Sequence, residues 1–174
     1  GEFTINIALI DAHEPVLGIL YLPLEKVAYV GIPGAQAQRF VDAGEGRWSV
    51  SELATRPLQA GRELTVLASR RHRGPRFTAC LAWLEEQWES AVSRSNMGSA
   101  LKFSRMAEGH GDLYPRFSPC CEWDTAAGQA VLEAAGGHLL GMDGKPLRYN
   151  CGESLFSPPF YAIADGSHPL WLRL

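Results

Sequence analysis

The sequence predicts a layered α/β fold, and three observations carry that reading. Residues 3–30 hold three short segments of strand composition separated by turns, which is the signature of an antiparallel meander. Leu64-Thr65-Val66-Leu67-Ala68-Ser69 is a continuous apolar run of the kind found in a strand buried on both faces. Behind it, segments of strand and helix character alternate to the end of the chain, a pattern that layers helices on a sheet.

The elements follow in order. Phe3-Thr4-Ile5-Asn6-Ile7-Ala8-Leu9-Ile10 reads as a strand, Asp11 to Pro15 as a turn, residues 16–22 as its partner, and residues 26–30 as a third strand before Gly31 and Pro33-Gly34. Residues 36–62 mix Gly, Pro and polar residues and read as a connector with a short strand at residues 48–50. Phe77, Leu81, Leu84 and Trp88 fall on one stripe of a helix that carries Glu85, Glu86 and Gln87 on its other face. A short strand is expected at residues 92–94, a helix at 99–108 and a strand at 113–117. A helix at 125–135 should end at Gly136-Gly137, with closing strands at 147–149 and 160–164.

The chain has 174 residues, 46% hydrophobic and 20% charged, enough to bury a substantial core. Its net charge of −3 argues against a surface devoted to polymeric nucleic acid or anionic membrane, so any anion site must be local. No apolar run is long enough to span a bilayer, and Gly1-Glu2-Phe3 carries neither a basic leader nor an apolar signal core. The four cysteines (Cys80, Cys120, Cys121 and Cys151) form no C-x-x-C pair, which points away from a zinc ribbon or disulfide scaffold and towards a cytoplasmic protein.

Four places could carry chemistry. In Gly98-Ser99-Ala100-Leu101-Lys102, Ser99 is a natural N-cap and Lys102 falls in the first helical turn, where a cation opposes the helix dipole. Either an anion sits between Lys102 and the helix start, or the lysine is simply solvated. Arg70-Arg71-His72-Arg73-Gly74 follows the buried strand at its carboxyl end, a common ligand position in α/β folds, though basic loops are often only solvated. In Tyr114-Pro115-Arg116-Phe117, an arginine between aromatic residues can present a fixed fork to phosphate. Asp124 or Thr125 caps a helix whose first turn is Ala and Gly, so a carboxylate and room for a ligand coincide. Such an Asp can bind Mg2+, and capping alone would explain it equally well.

Trp123-Asp124-Thr125-Ala126-Ala127-Gly128, followed by Glu133-Ala134-Ala135-Gly136-Gly137, resembles the second signature of the inositol monophosphatase superfamily, W-D-x-A-A-G with a later E-A-A-G-G. Within that superfamily, Ala68-Ser69-Arg70-Arg71-His72, Gly98-Ser99-Ala100-Leu101-Lys102-Phe103, Ala107-Glu108-Gly109, Leu113-Tyr114-Pro115-Arg116-Phe117 and Gly144-Lys145-Pro146-Leu147 resemble the 3′(2′),5′-bisphosphate nucleotidases. These enzymes remove the 3′-phosphate of 3′-phosphoadenosine 5′-phosphate. The resemblance implies a layered α/β/α/β/α sandwich and a Mg2+-dependent, lithium-sensitive reaction with two or three ions. It implies Asp124 as a metal ligand that also meets substrate, and His72, Ser99, Lys102 and Arg116 as nucleotide-binding residues. Inositol monophosphatases generally lack the Lys and the Y-P-R motif, so Lys102 and Arg116 favour a substrate with a second phosphate.

In that family the segment resembling residues 1–8 comes shortly after a D-P-x-D-G-T motif, and a metal-binding Glu lies further upstream. Neither is in this chain. The expectation is therefore a C-terminal portion in which residues 1–62 are the remainder of an N-terminal lobe and residues 63–174 an α/β lobe bearing the nucleotide residues. On this reading the sandwich lacks its N-terminal elements, catalytic residues lie outside the chain, and the chain alone is inactive. A further N-terminal piece or a second copy would cover the surface left open. Two alternatives are an inositol or sugar monophosphatase and a non-catalytic phosphate-binding module.

Overall fold

A computed structural model of the chain describes residues 3–70 and 74–173. Its first half is a five-stranded antiparallel meander in sequence order, with β1 Ile5–Asp11, β2 Glu14–Leu22, β3 Val27–Ile32, β4 Gln36–Asp42 and β5 Trp48–Glu52. The tight β1–β2 turn places Ala12 and His13 at positive φ. β4 lies inside the stretch read as a connector. Its Gln36, Gln38 and Arg39 mask the strand pattern, whereas the backbone pairs along its whole length with β3.

The second half supplies β6 Leu64–Ser69, α1 Pro75–Gln87, β7 Val92–Met97, α2 Leu101–Ala107, β8 Leu113–Arg116, β9 Cys120–Cys121, α3 Glu122–Ala134, β10 His138–Gly141, β11 Phe156–Ser157 and β12 Phe160–Ile163. A 3-10 turn at Pro169–Arg173 follows. The second sheet runs β10-β12-β8-β6-β7, with β6 parallel to β7 and β8 and the β8, β12 and β10 pairings antiparallel. β6 begins and ends where the apolar run does, and Leu64, Val66, Leu67 and Ala68 are all buried.

The expected strand at residues 147–149 is not formed. Leu147 and Tyr149 are buried as a strand residue would be, but Tyr149 bonds through its backbone N–H to the His13 carbonyl (3.0 Å) and through its hydroxyl to Gln129 (2.7 Å). The start of the segment instead touches the outer side of β10 through one bridge, Pro146 to Leu140, and a long bond from the Leu147 N–H to the Leu139 carbonyl (3.4 Å).

Helices α2 and α3 lie between the sheets. Leu20, Leu22, Val27 and Tyr29 from the meander, Phe103 and Met106 from α2, Val131 and Leu132 from α3, and Tyr114 and Phe160 from the second sheet form one core. Phe77, Cys80 and Leu84 of α1 cover the opposite face of the second sheet, against Leu64, Val66, Leu113 and Ile163. Close approach of α3 to the meander depends on Gly18 and Gly31, which are paired across β2 and β3. A Cβ at Gly18 would fall 2.3 Å from the Ala127 carbonyl oxygen, and one at Gly31 2.4 Å from the Val131 Cα. The layers are thus sheet, helices, sheet, helix. On the outer face of the meander Ile5, Ile7, Leu9, Trp48 and Val50 are exposed, and no helix of the described residues covers them.

Glu133, in the last turn of α3, accepts from the Gln129 amide (2.9 Å). Burial, with Glu14 adding repulsion, lifts its carboxyl to about 7 against the opposing hydrogen bonds from Gln129 and the Leu139 backbone. A carboxyl held above its unfolded pKa contributes stability that is complete at acid pH and lost as pH rises through 7. Glu133→Gln should therefore flatten the fall in unfolding free energy between pH 5 and pH 8, a difference on the order of 2 kcal/mol in urea titrations. Identical pH profiles for the two proteins would contradict the burial argument.

Candidate phosphate site

Ser99, Lys102, Arg116 and Asp124, read from three separate motifs, line one cavity of about 520 Å3 together with Arg70, Tyr114 and Cys120. That volume falls within the roughly 300–1,000 Å3 typical of small-molecule sites. The cavity lies near the carboxyl end of β6, where Ser69 and Arg70 line it. His72 lies outside the described residues.

The local geometry differs from the sequence expectations at both helix starts. Ser99 does not cap α2. The N-cap position belongs to Ala100, Ser99 has φ +50°, and its hydroxyl shares a 2.6 Å hydrogen bond with that of Thr4. Lys102 is consequently the second helical residue, and far from being solvated it is only 2% exposed. Its ammonium donates to the carbonyls of Ser99 (2.9 Å) and Met97 (3.3 Å) and lies 4.8 Å from the Tyr114 ring centre. Carbonyl oxygens and an aromatic face help make a buried ammonium tolerable.

Helix α3 begins at Glu122, one turn ahead of the expected start, so neither Asp124 nor Thr125 is the N-cap. Asp124 is the third helical residue, and its carboxylate reaches back to the Cys121 N–H at 3.4 Å, a long contact. The side chain is exposed and faces the cavity. Thr125 turns inward and donates to the Glu122 carbonyl (3.1 Å).

Arg116 ends β8 with its guanidinium held on three sides. Nε donates to the Ser118 carbonyl (3.2 Å), Nη2 to the Pro119 carbonyl (3.0 Å) and Nη1 to the Tyr114 hydroxyl (3.4 Å). A guanidinium has five N–H groups, so these three bonds leave one on each terminal nitrogen. Burial works against the charge, but Tyr114, Cys120 and Asp124 more than offset it and hold Arg116 more firmly protonated than usual. Burial pushes the Tyr114 phenol up to about 12, with Arg116 opposing, and raises the Cys120 thiol, so both are neutral at physiological pH.

Asp124 suits a hard cation as a single oxygen ligand, but no group of three or more His, Cys, Asp or Glu that could hold a metal ion occurs among the described residues. One carboxylate does not form a divalent-metal centre. The cavity is lined by cationic side chains with one carboxylate on its wall.

Sequence reasoning missed Tyr114 and Cys120 as cavity residues. Tyr114 stands in a motif whose arginine carries the chemical signal, and Cys120 reads as an ordinary structural thiol.

These features belong to an α/β protein with a cationic cavity, and residues 1–166 match the inositol monophosphatase family, to which the chain belongs. More particularly, it is 40% identical over 163 residues to the 3′(2′),5′-bisphosphate nucleotidase CysQ of Escherichia coli K12, covering 92% of this chain and 59% of the relative. The Buchnera aphidicola nucleotidase of the same name is 34% identical over 170 residues, covering 94% of this chain and 58% of that one. In structure it matches CysQ from Bacteroides thetaiotaomicron, with a TM-score of 0.78 and 36% identity over 92% of this chain and 62% of the other. An inositol monophosphatase from Zymomonas mobilis shares the fold at 20% identity, with a TM-score of 0.71 over 94% of this chain and 58% of that one. The chain thus spans about 59% of the length of the nucleotidase it matches in Escherichia coli. No helix among the described residues is long and apolar enough to cross a membrane.

Proposed function

We propose that the chain is the nucleotide-binding part of a Mg2+-dependent, lithium-sensitive bisphosphate nucleotidase. The reaction converts 3′-phosphoadenosine 5′-phosphate to AMP and phosphate, as part of nucleotide recycling in sulfate assimilation in the cytoplasm. The observation that carries this reading is the meeting of two cations, Lys102 and Arg116, in one cavity with the Asp124 carboxylate. A monophosphate already occupied by metal needs no second cationic cradle, whereas the uncleaved phosphate of a bisphosphate does. The similarity to nucleotidases at 40% identity supports the same substrate class.

In this division of labour Arg116 presents its remaining N–H groups to the uncleaved phosphate, Lys102 adds a buried positive charge, and the Ser99 hydroxyl and His72 contact the nucleotide. Asp124 would hold Mg2+ as one carboxylate ligand, and the metal would supply Lewis-acid activation of water in a full centre. The remaining ligands belong to the part of the relatives that the chain does not span. Residues 1–62 and 63–174 are taken as the two lobes.

The decisive experiment compares the chain alone with a chimaera that joins it to the unspanned part of the Escherichia coli relative. The chain alone should release no phosphate, because one carboxylate cannot hold both the attacking and leaving oxygens through two metals. The chimaera should hydrolyse 3′-phosphoadenosine 5′-phosphate in preference to inositol monophosphate. Preference for the inositol ester would return the site to the monophosphatase reading, and a silent chimaera that still binds phosphate would make it a non-catalytic module.

A further inference from the structure

We infer that Tyr114 is a positioning residue that ties Lys102 and Arg116 into one cationic unit, so that the two charges reach a bound phosphate as a pair. The inference deepens the proposed function and rests on it for the identity of the ligand. Tyr114 and Arg116 are two residues apart on β8, so their side chains leave the same face of the strand. The Tyr114 ring is fixed edge-on against Phe103 (centroids 5.5 Å apart) and Phe160 (5.4 Å), and the residue is 3% exposed. From that fixed platform its hydroxyl receives Arg116 Nη1, while its face lies 4.8 Å from Lys102 Nζ.

The two cations stand on different elements, α2 and β8, and Tyr114 is a side chain in contact with both. Like charges gathered in a buried cavity repel, and an aromatic face and a phenolic oxygen between them offset part of that cost. The phenol stays protonated because burial raises its pKa, so it offers Arg116 a neutral acceptor and leaves the positive charge for the ligand. The carbonyls of Ser118 and Pro119 hold the guanidinium through Nε and Nη2, which makes the Tyr114 hydroxyl the side-chain tether on Nη1.

Tyr114→Phe tests this with little disturbance, since it keeps the ring and removes only the hydroxyl. Binding of adenosine 3′,5′-bisphosphate and of AMP to the 174-residue chain would be measured by calorimetry. Exchange of the Arg116 Nη1–H protons, the ones that meet the Tyr114 hydroxyl, would be followed by 15N NMR. The expected result is an unchanged melt, faster Arg116 exchange and a loss of bisphosphate affinity of about 3- to 10-fold, the range for one hydrogen bond. In an Arg116→Ala background the same change should add nothing. Unchanged Arg116 exchange, or an equal loss of affinity with and without Arg116, overturns the inference whatever the cavity binds. If Tyr114→Phe loosens Arg116 but the wild-type chain shows no preference for the bisphosphate over AMP, the tether stands and the nucleotidase reading falls.

Discussion

Asp112→Ala is expected to cost about 3–5 kcal/mol of folding stability, the amount typical of removing one partner from a buried ionic network. Asp112 is 1% exposed and lies just before β8. Its carboxylate takes both Nε and Nη2 of Arg56, Nη2 of Arg62 at 2.8 Å and the backbone N–H of Thr65 at 2.7 Å. The backbone of Asp112 adds a bond to the Thr65 carbonyl and receives one from Ala164. One side chain therefore fixes the segment before β6, the start of β6 and the approach to β8. Alanine would strand two guanidinium groups without a counter-charge and leave a β6 N–H unpaired. Urea unfolding of the chain measures the effect, and a loss below about 1 kcal/mol would show that water satisfies the arginines as well as Asp112 does. Because β8 carries Tyr114 and Arg116, the same variant should also weaken anion binding at the cavity.

Asp124→Asn has the larger expected effect on chemistry. Within the chimaera, turnover at saturating Mg2+ should fall by at least about 100-fold, the upper end of losses seen for groups that merely support metal ligands. Stability should shift by no more than about 0.5 kcal/mol, since the exposed amide can still accept from the Cys121 N–H. Phosphate release against Mg2+ concentration, beside a thermal melt, separates the two quantities. Near-normal activity at ordinary Mg2+ would leave Asp124 with its helix-start contact as its whole role.

What could be read from the sequence follows how locally each feature is encoded. The extent of β6 was legible because its apolar run is bounded on both sides by charge, at Glu63 and Arg70. The meander was legible from turn residues and strand composition, except for β4, whose polar side chains sit on a partly covered sheet. Residues 147–149 have the composition of a strand, but the distant turn at His13 and the Gln129 side chain divert their hydrogen bonds. The helix starts failed for the same kind of reason. Ser99 is a good cap by type, but its backbone is left-handed and its hydroxyl is engaged by Thr4, 95 residues away. Motif resemblance brought Ser99, Lys102, Arg116 and Asp124 to notice, and the fold brings these four to one cavity. It gave no hint that Lys102 is buried or that Tyr114 contacts both cations, because those facts depend on the packing of α2 against β8. Nor did it single out Asp112, whose arginine partners lie 56 and 50 residues earlier in the chain.

That Lys102 and Arg116 serve a phosphate that is not cleaved is tested most directly by the specificity of Lys102→Ala, introduced into the chimaera and assayed on 3′-phosphoadenosine 5′-phosphate and on inositol monophosphate. The kcat/KM for the bisphosphate should fall by an amount equivalent to roughly 1.5–3 kcal/mol, the worth of a hydrogen bond to a charged group, while the monophosphate is little affected. An equal loss on both substrates would mean that Lys102 acts on the reacting phosphate or on the fold, and would contradict the assignment of this cavity to a bisphosphate.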